Sequence, residues 1–428
     1  MQVLAHRRTF MKWVAAAPVF GAIAAREMSA KLAAAAGVAP SAEVYRRIGV
    51  RPFINARGTW TYLSGSLELP EVRKAMDDAA RHFVDIFELE RAAGRRLAEL
   101  SGAESGIVTS GAAGAMAAAT AACIAGNDPA KVWQLPDTTG LKDEVIMLGG
   151  RNAFDSAIRL AGGKLTIAMT HAELESKLSD RTAMVYTTWL GTDLEKAVAI
   201  TRKAKVPLLL DDAAGIPPFE NLKLYARMGL DLYCFSGGKG LRGPQCAGLL
   251  LGRKDLIEAA LANYSPHEGA VCRPMKVGKE EIIGMLAAVE AWATIDLEKL
   301  NREWARRVER IAKLVETVPG VTTKISIPEG GNRYPTLRVD WDEVAFGMSV
   351  AQCDEELRRS DPRIEVLTAQ NPSMVAGVEL EERKAGQPHR EQNRLEIVSM
   401  TLQEGEDLIV GQRLREVLDK ARKSAKRN

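Results

Sequence analysis

The stretch DLYCFSGGKGLRGPQCAGLLLG, residues Asp231–Gly252, decides how this chain is read. Leu232–Phe235 is an apolar run of strand length that stops at Ser236, and Ala247–Leu251 is a second such run. Between them Lys239 sits among Gly237, Gly238 and Gly240. Without a Cβ, these glycines let the chain turn sharply and let a flat ligand approach the backbone. A lysine at the mouth of two buried strands is poorly solvated, which lowers its pKa and makes its amine a better nucleophile. A Gly-Lys-Gly loop alone equally describes a surface turn with a solvated lysine, so the choice rests on the rest of the chain.

Outward from this loop, apolar runs rich in β-branched residues recur at Ile107–Thr109, Val145–Leu148, Leu165–Ala168, Ala183–Tyr186 and Val206–Leu210. Helical segments lie between most of them, at Ala112–Ala125, Phe154–Ala161, Ala172–Leu178, Glu195–Ala204 and Leu222–Met228, the third opened by an expected capping box of Thr170 and Glu173. With the two runs of the opening stretch this makes seven short strands, which predicts an α/β fold on a mostly parallel, buried seven-stranded sheet. Such sheets bind ligands beyond the carboxyl ends of their strands. A helix is expected from Pro70, another over Phe83–Leu100, and one long helical region over Glu280–Val318. Strand-like pieces at Val321–Ile327, Thr336–Asp340, Ile364–Leu367 and Arg394–Ser399 then alternate with helices at Ser349–Ser360 and Gly405–Leu418. The expected division is an N-terminal arm and large domain over 43–290 and a smaller α+β domain over 291–428.

The chain has 428 residues and a net charge of +3, too small a surplus to argue for a nucleic-acid footprint despite the basic tail Lys420–Arg427. Its five cysteines follow neither metal-ligand spacing nor a disulfide framework, and Cys123, Cys234 and Cys246 read as small core residues. His6-Arg7-Arg8-Thr9-Phe10-Met11-Lys12 resembles a twin-arginine export motif, followed by an apolar stretch over Trp13–Ala25 and a small-residue cleavage site at Ala22–Ala24. Residues 1–25 are therefore expected to be a signal for the periplasm, with a cytoplasmic amino-terminal helix as the alternative. Residues 26–42 read as an Ala-rich linker. The apolar stretch is too short for a stable membrane span.

Three strand ends carry chemistry. At Val108–Ala113 a strand runs into a helix through Ser110, Gly111 and Ala112, whose N–H groups and hydroxyl suit a phosphate. At Val206–Ala214 an apolar strand ends in Asp211 and Asp212, followed by Ala213 and Ala214. A carboxylate there could pair with a protonated pyridine nitrogen; Asp211, directly after the buried run, is the choice, and Asp212 serves equally as a helix cap. At the third, Ser236 lies three residues before Lys239, so its hydroxyl reaches a phosphate while the amine reaches an aldehyde.

With these stretches in hand, the chain resembles the fold-type I pyridoxal-phosphate (PLP) enzymes. The likeness is to the branch of selenocysteine synthase (L-seryl-tRNA selenium transferase) and D-glucosaminate-6-phosphate ammonia-lyase. It is carried by INARGTWT (54–61), residues 83–116, RNAFDSAIRLAGG (151–163), LLLDDAAGIPP (208–218), FSGGKGLRGPQCAGLLLG (235–252) and residues 273–292. The resemblance implies PLP as cofactor, Lys239 as the Schiff-base lysine and Asp211 as the ring-nitrogen partner. It implies Ser110, Gly111, Ala112 and Ser236 around the phosphate, Ala213 against the ring and Phe154 as a stacking residue. It also implies a homodimer or larger homo-oligomer in which Arg273 or Lys276 reaches a neighbour's cofactor. Arg338, Arg394 and His267 are candidates for substrate binding, and no metal is expected. The expected function is α,β-elimination of the ammonia-lyase type on a small amino or hydroxy-amino acid. A racemase, aldolase or transaminase shares every cofactor residue. The alternatives of another class are a selenium-transferase-like, RNA-linked enzyme and a non-catalytic cofactor-binding protein. No tRNA-holding helical domain is visible before residue 43.

Overall fold

The computed structural model describes residues 42–188, 193–368 and 394–426. The export signal and all but the last residue of the linker lie outside the described residues, as does Arg427 of the basic tail. Internal contacts divide the chain into two compact units, residues 1–54 with 361–363 and residues 55–360 with 364–428. In the described part of the first, Glu43–Arg46 forms one helical turn and the Arg363 guanidinium lies 5.4 Å from the Phe53 ring centroid.

The second unit is built on seven strands: β1 (Ser105–Thr109), β2 (Glu144–Leu148), β3 (Lys164–Ala168), β4 (Thr182–Thr188), β5 (Leu208–Asp211), β6 (Leu232–Ser236) and β7 (Gly248–Gly252). Their spatial order is β1-β7-β6-β5-β4-β2-β3. Neighbours from β3 to β6 run parallel, and β7 is antiparallel to both β6 and β1. All seven expected strands are present. All but the half-exposed edge strand β3 read as largely apolar runs because both faces of the sheet are covered. On one face Val145, Met147, Tyr186, Leu209 and Cys234 pack under the Ala-rich helix α2 (Gly111–Ala125), for which α1 (Ile86–Ser101) precedes β1 in the chain. On the other, Leu208, Leu210, Tyr233 and Phe235 pack with Leu97, Tyr225 of helix α3 (Asn221–Met228) and Trp292 of helix α4 (Lys279–Trp292). Each fully buried aliphatic side chain contributes about 1.5–3 kcal/mol. The alanines of α2 let it lie close on the sheet, and Gly248 does the same where β7 passes the helix start. A Cβ at 248 would stand 2.4 Å from the Gly111 carbonyl carbon.

The smaller C-terminal domain consists of an antiparallel sheet, β8 (Thr322–Ser326), β9 (Thr336–Asp340) and β10 (Leu395–Val398), in the order β10-β9-β8. Its longer helices are α5 (Leu297–Val315), α6 (Val350–Arg359) and α7 (Glu406–Ala425). The single helical region expected over Glu280–Val318 is two helices. Asp296 ends the continuity by capping α5, its carboxylate accepting the Lys299 N–H at 2.9 Å. The Thr170 capping box is half formed: Thr170 Oγ1 accepts the Glu173 N–H at 3.1 Å, but Glu173 Oε2 turns to the Met169 N–H at 3.0 Å. Cys123 is half-buried, Cys234 is buried, and Cys246 is exposed, because β7 starts only at Gly248 and Cys246 still belongs to the turn. Among the described residues no helix is long and apolar enough to cross a membrane.

The Lys239 loop is clamped by backbone. Ser66 N–H donates to the Gly238 carbonyl at 2.9 Å, and Leu69 N–H to that of Arg242 at 3.0 Å. A Cβ at Gly240 would sit 1.8 Å from the Ile216 carbonyl oxygen, a backbone atom that cannot swing aside. Gly240→Ala is expected to cost about 1–3 kcal/mol by overpacking, read as a lower denaturant midpoint at unchanged slope.

Candidate active site

β5 and β6 end side by side, with Asp211 directly opposite Cys234. Tyr186 is paired with Leu209 across β4 and β5, so strand alternation puts Tyr186, Asp211 and Cys234 on the face that α2 covers. There Asp211 Oδ2 accepts the Tyr186 hydroxyl at 3.0 Å. Asp211 Oδ1 accepts the Ala213 N–H at 3.1 Å and lies 3.7 Å from Cys234 Sγ. Asp212 projects to the opposite face and accepts the Tyr225 hydroxyl. Burial pushes the Asp212 carboxyl up to about 6; the Tyr225 hydrogen bond, Lys239 and Arg333 oppose that rise, and Asp211 adds to it.

Ser236, at the end of β6, donates its N–H to the Ala213 carbonyl at 3.1 Å, which joins the two strand-end loops. Three residues on, Lys239 Nζ lies 5.9 Å from the centroid of the Phe154 ring. Phe154 is 53% exposed and precedes the short helix Ser156–Leu160, so it is not a core residue. Burial lowers the Lys239 pKa from its ordinary value, against the raising effect of Asp211, Cys234 and Asp212. The amine is thereby made easier to deprotonate, as nucleophilic attack requires.

At the start of α2 the Ser110 N–H donates to the hydroxyl of the buried Tyr264 at 2.6 Å, which removes that amide from the set a phosphate could use. The first-turn amides of Gly111, Ala112 and Ala113 remain, since no helical carbonyl can reach them. Gly111 has φ +68°, and a Cβ there would meet nothing within 4 Å. Gly114 leaves room for Ser110 Oγ, which would be 2.6 Å from a Cβ at that position.

Behind this helix start lies Glu90 of α1, 2% exposed, its Oε2 accepting the Val108 N–H at 3.3 Å. Burial pushes its pKa up to about 8, with the hydrogen bond opposing. Its folded pKa lies above its unfolded value, so between about pH 4.5 and 8 the folded protein holds a proton that the unfolded chain lacks. Folding stability therefore falls as pH rises through that window. Glu90→Gln keeps an oxygen for Val108 and cannot ionise; its Tm relative to the native chain is expected to climb between roughly pH 5 and 9. Parallel Tm–pH curves would show that Glu90 does not titrate there.

The remaining candidates lie elsewhere. Arg338 on β9 is paired with Asp340 at 2.7 Å, and Arg394 with Glu396, all on one face of the small sheet where Arg338 stands opposite Glu396. Both cations thus already have carboxylate partners. The His267 ring packs edge-on to Phe87 of α1 at 4.9 Å, and burial together with Arg91 lowers its pKa. Arg273 is half-buried and Lys276 exposed, in the loop that follows the bridge between Tyr264 and Cys272. Sequence reading missed Tyr186, Tyr264 and the loop Gly331–Arg333. In that loop Asn332 donates its N–H to the Ala214 carbonyl at 2.8 Å. Only the place of Tyr186 as the last residue of an apolar run hinted at a role. Among the described residues no cluster of His, Cys, Asp and Glu is arranged to hold a metal ion.

The site fits pyridoxal phosphate on its own chemistry. It offers a buried carboxylate with several donors for a ring nitrogen, a desolvated amine for an aldehyde, and a helix start with open amides for a phosphate.

Comparison with known proteins points the same way. The class-V aminotransferase profile matches residues 157–332. A Streptomyces protein, 5'-C-glycyluridine monooxygenase-decarboxylase, is 34% identical over 75% of this chain and 83% of its own length. D-glucosaminate-6-phosphate ammonia lyase of Salmonella typhimurium is 30% identical over 74% of this chain and 86% of its own. L-seryl-tRNA(Sec) selenium transferase of Moorella thermoacetica is 25% identical over 74% and 76%. Among solved structures, a D-glucosaminate-6-phosphate ammonia-lyase superposes with a TM-score of 0.71 at 27% identity, covering 88% of this chain and 98% of that one.

Proposed function

The chain belongs to the family of pyridoxal-phosphate-dependent enzymes that includes D-glucosaminate-6-phosphate ammonia lyase, and from that footing we propose that it is an ammonia-lyase-type enzyme acting on a small amino or hydroxy-amino acid. The placement of Asp211, Cys234 and Tyr186 on the α2 face of the sheet, with Lys239 three residues beyond the end of β6, supports the cofactor site, and the 30% identity to the ammonia lyase is the observation that favours elimination over the other reactions such a site allows. Bound there, the cofactor would act as an electron sink for charge developing on the substrate α-carbon. Asp211 would hold the proton at the ring nitrogen, and the first-turn amides of α2 with Ser110 and Ser236 would hold the phosphate. Phe154 and Ala213 would confine the ring.

Lys239 Nζ, whose pKa burial lowers, removes the α-proton. The C–H electron pair becomes the Cα–Cβ bond's second pair, and the β-substituent leaves with its electrons. For a hydroxyl leaving group, one water departs and one water returns, so substrate equals 2-oxo acid plus ammonia. Positioned proton transfer of this kind contributes on the order of 10²–10⁴ in rate. Screening amino and hydroxy-amino acids for matched release of ammonia and a 2-oxo acid tests the proposal. A racemised substrate of unchanged composition counts against it.

The 34% identity to the Streptomyces protein favours a second reading, in which an α-carboxylate is lost and dioxygen consumed. Oxygen uptake with carbon dioxide release, in place of ammonia release without oxygen, distinguishes the two. The dimer in which Arg273 or Lys276 reaches a neighbour's cofactor is part of this proposal, tested by sedimentation and by mixed dimers of complementary variants. Periplasmic export rests on the twin-arginine motif with the apolar stretch and small-residue site behind it, and a native Met1 confined to the cytoplasm overturns it.

A further inference from the structure

Asn152 stands in the stretch RNAFD and has both ends of its side-chain amide engaged. Its Oδ1 accepts the Phe154 N–H at 2.8 Å, and its Nδ2 donates to the Tyr186 hydroxyl oxygen at 2.9 Å. The first contact determines which end of the amide faces which way, since only the oxygen can accept from a backbone N–H. The amide nitrogen must then face Tyr186, whose oxygen is the acceptor there. Tyr186 is 1% exposed, so water does not compete for its hydrogen, and that hydrogen is left for Asp211 Oδ2 at 3.0 Å. Burial and the nearby Asp211 charge raise the Tyr186 pKa well above its ordinary value, so the phenol keeps its proton and acts as a donor.

We infer that Asn152 is a positioning residue that, through Tyr186, orients the hydroxyl hydrogen toward Asp211 and so fixes the orientation in which that carboxylate faces the ring nitrogen. The inference rests on the proposal that Asp211 partners that nitrogen. It goes further in joining two parts of the site: one amide orders the backbone of Phe154, beside Lys239, and sets the hydrogen-bond direction at the far end of the ring. The Tyr186 hydroxyl on Oδ2 and the Ala213 N–H on Oδ1 together fix the plane of the Asp211 carboxylate.

The test compares binding of pyridoxal phosphate and its 1-deaza analogue, in which C–H replaces the ring nitrogen, to the apoprotein by fluorescence titration. The native chain is expected to prefer the nitrogen-containing cofactor by roughly tenfold to a hundredfold, the range of a charge-assisted hydrogen bond. Tyr186→Phe is expected to remove most of that preference while leaving deaza affinity nearly unchanged. Asn152→Ala is expected to weaken both ligands somewhat, through Phe154, and to reduce the preference in the native background but not further in the Tyr186→Phe background. Equal weakening of both ligands by Tyr186→Phe, or an undiminished effect of Asn152→Ala on the preference in the double variant, overturns the inference. A native chain that fails to discriminate the two ligands refutes the Asp211 reading itself. Borohydride trapping of the cofactor on Lys239 separately reports whether the pocket is the cofactor site.

Discussion

Lys239→Ala is expected to leave a folded protein that no longer retains pyridoxal phosphate covalently and whose turnover falls by at least about 10²–10⁴, the contribution of positioned proton transfer. In the proposed mechanism two separate functions converge on this one amine. It must lose its proton to attack an aldehyde, and burial favours that loss by lowering its pKa. It must also stand where a proton can be taken from the substrate, and the backbone clamp on Gly238 and Arg242 supplies that. Lys239→Arg separates these roles from charge alone, since guanidinium keeps the positive charge and neither attacks nor accepts a proton near neutral pH. The measurements are mass spectrometry after borohydride reduction, which should place the pyridoxyl group on residue 239 of the native chain only, and single-turnover kinetics. A pyridoxyl group on another residue, or full turnover by the arginine variant, would overturn the functional reading.

Asp211→Asn is expected to lower kcat by about 10²–10³, the scale on which loss of one preorganised electrostatic partner is felt. An amide cannot stabilise a positive ring nitrogen, and it also disturbs the donors that surround it. The Tyr186 hydroxyl and the Ala213 N–H both point at this carboxylate, so an –NH₂ placed against either leaves a donor facing a donor. Asp212→Asn is the informative contrast. Its side chain lies on the other face of the sheet against Tyr225, and a carboxyl already pushed up to about 6 is readily replaced by a neutral amide that still accepts the Tyr225 hydroxyl. It should change kcat little. Equal losses in the two variants, measured as kcat against KM, would contradict the assignment of the ring-nitrogen role to Asp211.

Much of this architecture was legible in the chain. A strand buried on both faces has to be largely apolar, so the six strands inward of the half-exposed edge strand β3 appear as short apolar runs, and each functional loop appears as the point where such a run stops. Local chemistry of that kind named Lys239, Ser110 and the Asp211–Asp212 pair. Helix continuity through Thr294–Asp296 was misread because apolar spacing continues across a cap, and Cys246 was misread because its apolar neighbours begin only after it.

By itself the sequence determined the order of strands and helices, the lysine loop and the two acidic candidates, since these depend on residues adjacent in the chain. Only the tertiary structure decided that α2 covers the face from which Asp211 projects, while Asp212 faces Tyr225. It alone paired Arg338 and Arg394 with carboxylates of the small sheet and brought Tyr264 to Ser110, 154 residues away. The reason is physical: alternation along a strand states that two neighbours point apart, but which side holds the ligand depends on what packs there, and packing joins residues that share no local pattern.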